Sequence, residues 1–182
     1  MEVDGLNDSS GLFQNSIQAS ELASLLFTQR VRADEHIIMS SQLELYKNEP
    51  EFKSDVFEQK VFLYLVANVA LALMNFSDKN KKMQYVIAHF KKLVSLEMHN
   101  RWDYTQEKID DVVEATASKY AILLYTKPDE DRSLSFEWPK QWLEDVGIRE
   151  TNPITLFKIS TRWIIYHIDL LEFLSKQKIT NG

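Results

Sequence analysis

The feature that most constrains this chain is an apolar run, VFLYLVANVALALMNF, which occupies residues Val61–Phe76. Only two amides, Asn68 and Asn75, interrupt it, so a helix here is apolar on every side and must be surrounded by protein or by lipid. At about 1.5 Å per residue the run is about 24 Å long, shorter than the roughly 30 Å hydrocarbon core of a bilayer. We therefore expect the central helix of a soluble bundle, with no membrane as partner.

The composition predicts an all-α fold with a single domain. Of the 182 residues, 45% are hydrophobic and 26% charged, which is typical of globular proteins. Four glycines and four prolines are too few for the turns of an all-β fold. We expect a bundle of five to seven helices around a central apolar helix at about 55–76. Residues 1–15 predict a flexible tail and residues 16–178 the bundle.

Capping residues predict where the other helices begin and end. Ser20 caps the first helix, a break near Asp34 divides it, and Thr105 caps the fourth helix. Pro139 and Gly147 are placed to begin and end a short helix, and Asn152-Pro153 begins the last one. The predicted helices cover about 21–45, 55–76, 79–98, 106–124, 139–146 and 153–175.

Charge and cysteine content restrict the partners and the compartment. A net charge of −6 argues against general affinity for nucleic-acid backbone, so DNA is not an expected partner. The chain has no cysteine, which excludes disulfides and thiolate chemistry and is compatible with a reducing compartment. The acidic start, MEVDGLNDSSG, is the opposite of a signal peptide. We expect a cytoplasmic protein.

Motifs for cofactor and metal chemistry are absent from the sequence. There is no G-x-G-x-x-G, no P-loop and no serine nucleophile elbow, each of which depends on glycines that this chain does not supply. None of the four histidines follows a glutamate by three residues, as di-iron bundles require, and no His-x-x-x-His occurs. We expect no cofactor and no histidine-rich metal site, while a purely carboxylate site stays open.

One catalytic motif is present in the last predicted helix. Arg162 and His167 are separated by four residues, RWIIYH, in the C-terminal helix of an all-α chain. This segment resembles the R-x(4–6)-H motif of HEPN ribonucleases, small helical proteins that pair through such helices. The resemblance implies that Arg162 stabilises the scissile phosphate and that His167 acts in proton transfer or positioning. Arg30 and His36 satisfy the same loose pattern.

A structural role for His167 is the favoured interpretation. His167 lies four residues after Trp163 and three before Leu170, so it shares their apolar face of the helix. The sequence therefore predicts a hydrogen-bonded core histidine, with Arg162 at the surface beside it. Asn68, inside the apolar run, is likewise expected to bond another helix, because an unsatisfied buried amide costs about 1–3 kcal/mol.

Two aromatic clusters are candidate binding sites. The segment from His99 to Tyr104 combines Arg101 and Trp102 with hydrogen-bonding groups, and such a cluster suits a planar or anionic ligand. The alternative, which we favour, is an anchored turn between helices, with Trp102 and Tyr104 closing the end of the core.

The second cluster consists of Trp138 and Trp142, one helical turn apart. Exposed, these two indoles would form a hot spot for a protein partner. Buried, they would cover one end of the bundle, which is the commoner arrangement and the one we favour.

Together these patterns favour a non-catalytic helical module for protein–protein interaction or regulation, which binds another protein or pairs with itself as a homodimer. No specific catalytic constellation supports an enzyme. The alternative is a HEPN-like, metal-independent ribonuclease that uses Arg162 and His167. RNA is an expected partner only under that alternative.

Overall fold

The computed structural model describes residues 15–46, 48–77, 80–125, 134–149 and 152–180. The predicted tail lies outside the described residues except for Asn15. The predicted all-α class is confirmed, since helices form nearly all of the described chain. The elements are β1 (Asn15–Gln18), α1 (Ala19–Leu25), a π-helical segment (Leu26–Ala33), α2 (Asp34–Tyr46), α3 (Ser54–Ser77), α4 (Met83–Trp102), α5 (Gln106–Tyr125), α6 (Leu134–Asp145), α7 (Pro153–Ser175) and β2 (Gln177–Thr180).

The central apolar helix is α3, as predicted. It contacts α2, α4, α5, α7 and the π-helical segment, and its buried residues lie on every side of the helix. By length and composition alone α3 could cross a membrane, but 56% of its most apolar stretch is buried inside the fold. This burial supports a soluble protein, because the other helices supply the apolar surroundings that α3 needs.

The first helical rod runs without interruption from Ala19 to Tyr46. The sequence suggested a break near Asp34, but the chain instead changes there from π-helical to α-helical geometry. A π-helix bonds each residue to the fifth along the chain, so it rotates the apolar face without ending the helix. Leu22, Leu26 and Val31 all remain fully buried as a result.

Helix α4 begins and ends later than its sequence pattern suggests. It covers Met83–Trp102, so His99–Trp102 form its last turn and are not a connecting segment. Asp103 ends the helix in the left-handed conformation, with φ 54°, which aspartate tolerates better than most residues. Thr105 then caps α5 as predicted, accepting a hydrogen bond from the Lys108 amide at 3.3 Å.

Helix α6 begins before Pro139, although the sequence suggested that Pro139 would start it. Proline fixes φ near the helical value, so it can lie inside a helix at the loss of one backbone hydrogen bond. The predicted end is confirmed by Gly147, which follows α6 with φ 85°. A Cβ at Gly147 would lie 1.8 Å from the carbonyl oxygen of Glu51, so only glycine fits this close approach.

The last helix and a small sheet complete the fold. The Asn152 side chain accepts a hydrogen bond from the Ile154 amide at 2.9 Å, which confirms the predicted start of α7. Strands β1 and β2 then pair in parallel, with Asn15 opposite Gln177 and Gln18 opposite Thr180. The helical periodicity did not predict this sheet, because each strand has only four residues.

Candidate functional site

A chain of hydrogen bonds crosses the core from α5 through α3 to α7. The Tyr120 hydroxyl donates to the carbonyl oxygen of Trp163 at 2.7 Å, and the Asn68 amide nitrogen donates to the Tyr120 hydroxyl at 2.9 Å. The Asn68 amide oxygen lies 2.6 Å from Nδ1 of His167. The bonds therefore run in one direction: His167 donates to Asn68, Asn68 to Tyr120, and Tyr120 to the backbone.

His167 is part of this core. Its residue surface is 3% exposed, and its ring lies 6.4 Å from the Tyr120 ring in an edge arrangement. Because the Asn68 oxygen can only accept, Nδ1 of His167 must carry a proton. Burial lowers the pKa of His167 from its ordinary value, since the charged imidazolium loses water. His167 is therefore held neutral at pH 7, in a place where its ring connects two helices.

The two residues of the R-x4-H motif face different surroundings. Five residues along a helix correspond to a rotation of about 140°, so one side chain points inward when the other points outward. Arg162 is exposed and lines a cleft, whereas His167 lies in the core and is 3% exposed. The single chain does not bring the two side chains to one surface.

A cleft of about 550 Å³ lies between α2 and α7, and we name it the α2–α7 cleft. Its volume falls within the range of about 300–1,000 Å³ that small-molecule sites occupy. Four aromatic residues line it, together with isoleucines and a few polar residues. The full lining is Asp34, Ile37, Ile38, Tyr46, Trp142, Thr155, Lys158, Ile159, Arg162, Trp163 and Tyr166.

The charged residues of the α2–α7 cleft differ in how they are paired. On α7, Lys158 and Arg162 are one turn apart and exposed, and neither forms an ion pair within the described part of the chain. One turn further along α7, burial and the carboxylate of Asp34 raise the pKa of Tyr166. The Tyr166 hydroxyl donates to the carbonyl oxygen of Arg30 in the π-helical segment. The Tyr166 hydroxyl therefore stays protonated, and its hydrogen bond links α7 to the continuous helix of residues 19–46.

Arg101 lies at the centre of an ion-pair network that joins three helices. Its guanidinium holds Glu35 with two hydrogen bonds, of 3.1 and 2.8 Å, and also bonds Glu58. Arg32 contacts both Glu35 and Glu97, at 3.0 and 2.9 Å. Burial alone would lower the pKa of Arg101, but the hydrogen bonds and charges of Glu35 and Glu58 outweigh it and raise that pKa.

The aromatic residues of the predicted His99–Tyr104 site pack against the core. The Trp102 ring meets Phe62 edge-on at 5.3 Å, and Arg101 stacks over Trp102 at 4.4 Å. The Tyr104 hydroxyl donates to Gln59 at 3.3 Å. His99 is exposed, and its Nδ1 lies 3.4 Å from the Tyr104 carbonyl oxygen. Trp102 and Tyr104 thus pack at the end of the core, and Arg101, Trp102 and Tyr104 each contact other residues of the chain, although His99–Trp102 belong to α4 and not to a turn between helices.

The two tryptophans near α6 can be compared only in part. Trp142 is buried, with ring contacts to Phe57 at 5.4 Å and Tyr64 at 6.1 Å. Its indole nitrogen has no acceptor among the described residues, and the ring lines the α2–α7 cleft. The side chain of Trp138 lies outside the described residues. Trp142 therefore covers the core and also lines the cleft, while the prediction for the pair stays untested.

The side of α7 opposite the core is apolar as well. Ile154, Phe157, Ile165 and Ile168 are each more than half exposed, and they recur along one side of the helix. We name this surface the outer face of α7. The sequence pattern did not distinguish this face from the core side of α7, because it grouped Ile168 with Leu170 and Leu174, which are buried.

Two further observations complete the description of candidate sites. Within the described ranges, no group of three or more His, Asp or Glu side chains has a geometry that could hold a metal ion. No known protein family, curated protein or solved structure matches this chain. The function therefore has to be argued from the surfaces of this molecule alone.

The residues that sequence reasoning missed are those without a motif. Glu35 and Glu58 come from two different helices, and only the fold brings them to Arg101. Asp34, Lys158 and Tyr166 meet in the α2–α7 cleft for the same reason. Only Glu35 could have been noticed in the sequence. It lies four residues after the apolar Val31 and so on the same side of the helix, where a charged residue is unusual because that side faces the core.

Proposed function

We propose that this protein is a non-catalytic helical interaction module that works as a homodimer, paired through the outer face of α7. The observation that carries the proposal is the row of four exposed large apolar residues on that face. Rows of this kind are costly to leave in water and mark surfaces that bind other proteins. The alternative occupant, a different protein, is an outcome of the test below.

The spacing of the four residues supports a second copy as the occupant. Ile154 and Ile168 each lie seven residues from Thr161, and Phe157 and Ile165 each lie four residues from it. If two copies of α7 pair in antiparallel orientation about a twofold axis at Thr161, Ile154 meets Ile168 and Phe157 meets Ile165. A surface that matches itself in this way is what a twofold homodimer requires.

Charge also favours the antiparallel pairing. Asp169 lies eight residues after Thr161 and Pro153 eight residues before it, so Asp169 of one copy meets the start of α7 in the second copy. Carboxylates are stabilised at helix starts, where the backbone N–H groups carry partial positive charge. About 21 Å of paired helix makes a small interface, so we expect a dissociation constant in the micromolar range.

The test is the mass of the full chain in solution, measured by analytical ultracentrifugation across a range of concentrations. Ile168→Glu should raise the dissociation constant about 100-fold, since each dimer loses about 1.5 kcal/mol of apolar burial twice. Leu96→Glu is the matched control, because Leu96 is equally exposed on α4 and lies away from α7. A wild-type chain that stays monomeric at millimolar concentration would refute the proposal.

A charge exchange tests the pairing itself. The double variant I154E/I168E places like charges opposite each other and should be monomeric. The double variant I154K/I168E places opposite charges across the same interface and should recover part of the dimer. The two positions lie about 21 Å apart within one chain, so recovery cannot come from an internal ion pair. Equal behaviour of the two variants would contradict antiparallel pairing about Thr161.

The ribonuclease alternative stays a prediction that the position of His167 does not favour. It is tested by incubating the full chain with labelled RNA and comparing His167→Ala with the wild type. Cleavage that disappears in a folded His167→Ala variant would replace the interaction proposal. A cytoplasmic location is also part of the proposal, supported by the absence of cysteine and by the burial of α3.

A further inference from the structure

We infer that the α2–α7 cleft binds a small amphipathic carboxylate, meaning a molecule with an aromatic or aliphatic body and one carboxylate group. This site is separate from the outer face of α7 and does not depend on the homodimer. The inference combines three observations: the apolar lining of the cleft, two cations that have no ion-pair partner among the described residues, and a buried donor that has no acceptor among them.

The floor of the cleft suits a planar or aliphatic body. Trp142 and Trp163 are both buried, and Tyr46, Tyr166 and the isoleucines form the sides. Aromatic rings offer flat faces and edges that pack against another ring or an alkyl chain. A cavity of about 550 Å³ accommodates a molecule the size of an indole or a short acyl chain.

The cations select the charge of the ligand. Lys158 and Arg162 face the same cleft from successive turns of α7, in a protein whose net charge is −6. Arg101 and Lys60, by contrast, are part-buried and are paired with Glu35 and Asp145. Lys158 and Arg162 have no such partner among the described residues. Arginine holds a carboxylate with two parallel hydrogen bonds, which makes it the main expected contact.

The polar atoms of the cleft are compatible with this ligand. The Trp142 indole N–H is buried and has no acceptor within the described chain, so a ligand oxygen would satisfy it. The Asp34 carboxylate also lines the cleft and acts on Tyr166, and its buried Oδ2 has no hydrogen-bond partner within the described chain, so it would accept a hydrogen bond from a donor on the ligand body and repel a second negative charge. The cleft therefore suits one carboxylate near Lys158 and Arg162, and disfavours a dianion.

The experiment compares two probes of the same shape with the full chain. Indole-3-acetate carries the carboxylate, and indole-3-acetamide is its neutral counterpart. Binding is measured by isothermal titration calorimetry. We expect indole-3-acetate to bind at least about 10-fold more tightly than the amide, because only the acid can pair with Arg162. Sodium octanoate is measured in parallel to decide whether the body is aromatic or aliphatic.

Substitutions of the two basic residues test whether indole-3-acetate binds in the α2–α7 cleft. Arg162→Gln should weaken indole-3-acetate about 10-fold or more and leave the amide unchanged, and Lys158→Gln should act in the same direction with a smaller effect. Arg149→Gln is the matched control, since Arg149 is exposed and lies outside the cleft lining. All three substitutions are at exposed positions, so the variants should fold, which circular dichroism verifies.

Three outcomes would overturn the inference. They are equal binding of the acid and the amide, an unchanged affinity in Arg162→Gln, and the absence of saturable binding of both acids at millimolar concentration. Binding of an acidic peptide in place of both acids would also overturn it, because the cleft would then belong to a protein partner. Repeating the titration with Ile168→Glu separates this result from the fate of the homodimer proposal.

Discussion

At the scale of single residues, Asn68 decides how the core is connected. It is fully buried in the apolar helix α3, and it bonds both Tyr120 on α5 and His167 on α7. Its amide group donates on one side and accepts on the other. An apolar residue of the same size could fill the space but would remove both hydrogen bonds, the one to Tyr120 and the one to His167.

Replacing Asn68 should therefore destabilise the protein strongly. We expect Asn68→Ala to lower the free energy of unfolding by about 2–4 kcal/mol, from two lost hydrogen bonds and a small cavity. Asn100→Ala is the matched control, because Asn100 is exposed and should change stability by less than about 0.5 kcal/mol. Urea denaturation at pH 7.5 measures both variants. Similar values for the two would show that the buried chain of bonds contributes little.

His167 should make stability depend on pH. Burial lowers its pKa in the folded protein below the ordinary value of 6.5, so the unfolded chain binds the proton more readily. The stabilising contribution is complete above about pH 6.5. It is lost as the pH falls from there through the folded-state pKa.

The measurement is the urea midpoint between pH 7.5 and 5. The wild type should lose more stability over this range than His167→Gln, which cannot titrate. His36→Gln is the control, since His36 is exposed and should behave as the wild type does. A parallel pH dependence of wild type and His167→Gln would contradict the assignment.

At the scale of elements, three sides of α7 have different surroundings. Its inner side carries the buried residues Leu156, Trp163 and Leu170, which pack on the core. Its second side forms a wall of the α2–α7 cleft, and its outer face is exposed and apolar. A helix that packs only at the edge of a bundle would need one apolar side. The additional apolar side of α7 is what supports the homodimer proposal.

The first rod, α3 and α4 are joined by charge as well as by packing. Glu35 on α2 is 4% exposed, and its carboxylate depends on Arg101 for two of its hydrogen bonds. Removing Arg101 leaves that buried charge with Arg32 as its remaining cation. A substitution of Arg101 therefore affects the contacts between α2, α3 and α4 at once.

We expect Arg101→Ala to lower the free energy of unfolding by about 3 kcal/mol, because it breaks a buried ion pair and leaves the Glu35 charge compensated only in part, by Arg32. Arg101→Lys should cost less, since it keeps the charge but not the two parallel bonds to Glu35. Arg149→Ala is the control at an exposed arginine. Thermal and urea denaturation measure the three variants. Equal losses in Arg101→Ala and Arg149→Ala would show that the network is not stabilising.

At the scale of the whole molecule, the homodimer proposal connects assembly with stability. A partner that binds only the folded chain shifts the folding equilibrium by mass action. We expect the melting temperature of the wild type to rise by about 3–5 °C for each 100-fold increase in protein concentration. Ile168→Glu should melt at a temperature that does not depend on concentration. Differential scanning calorimetry at several concentrations makes the comparison.

Local sequence signals predicted much of the fold correctly. The apolar run predicted the buried helix α3, and the Asn152-Pro153 pair predicted the start of α7. Each signal lies within one continuous stretch of the chain, so it does not depend on which other helices pack against that stretch. Signals failed where tertiary contacts outweighed them. Pro139 does not begin α6, and the last turn of α4 includes the residues that the pattern assigned to a turn.

The candidate surfaces were less predictable than the fold. Arg162 and His167 are a motif in the sequence, yet the helix turns them towards a cleft and the core respectively. Arg101 and Trp102 form a candidate binding cluster in the sequence. In the fold, Arg101 forms ion pairs with Glu35 and Glu58 and stacks over Phe62. The order of side chains along the sequence does not show which groups of other helices each side chain will contact.

The sequence by itself determined that this protein is built from helices around the run at Val61–Phe76, because an all-apolar helix must be surrounded. It also determined the polar positions, Asn68 and His167, that had to find partners inside. Only the tertiary structure decided that these two residues bond each other and that α7 keeps an apolar face outside. Those outcomes depend on contacts between residues far apart in the chain, which periodicity and capping, being local, do not describe.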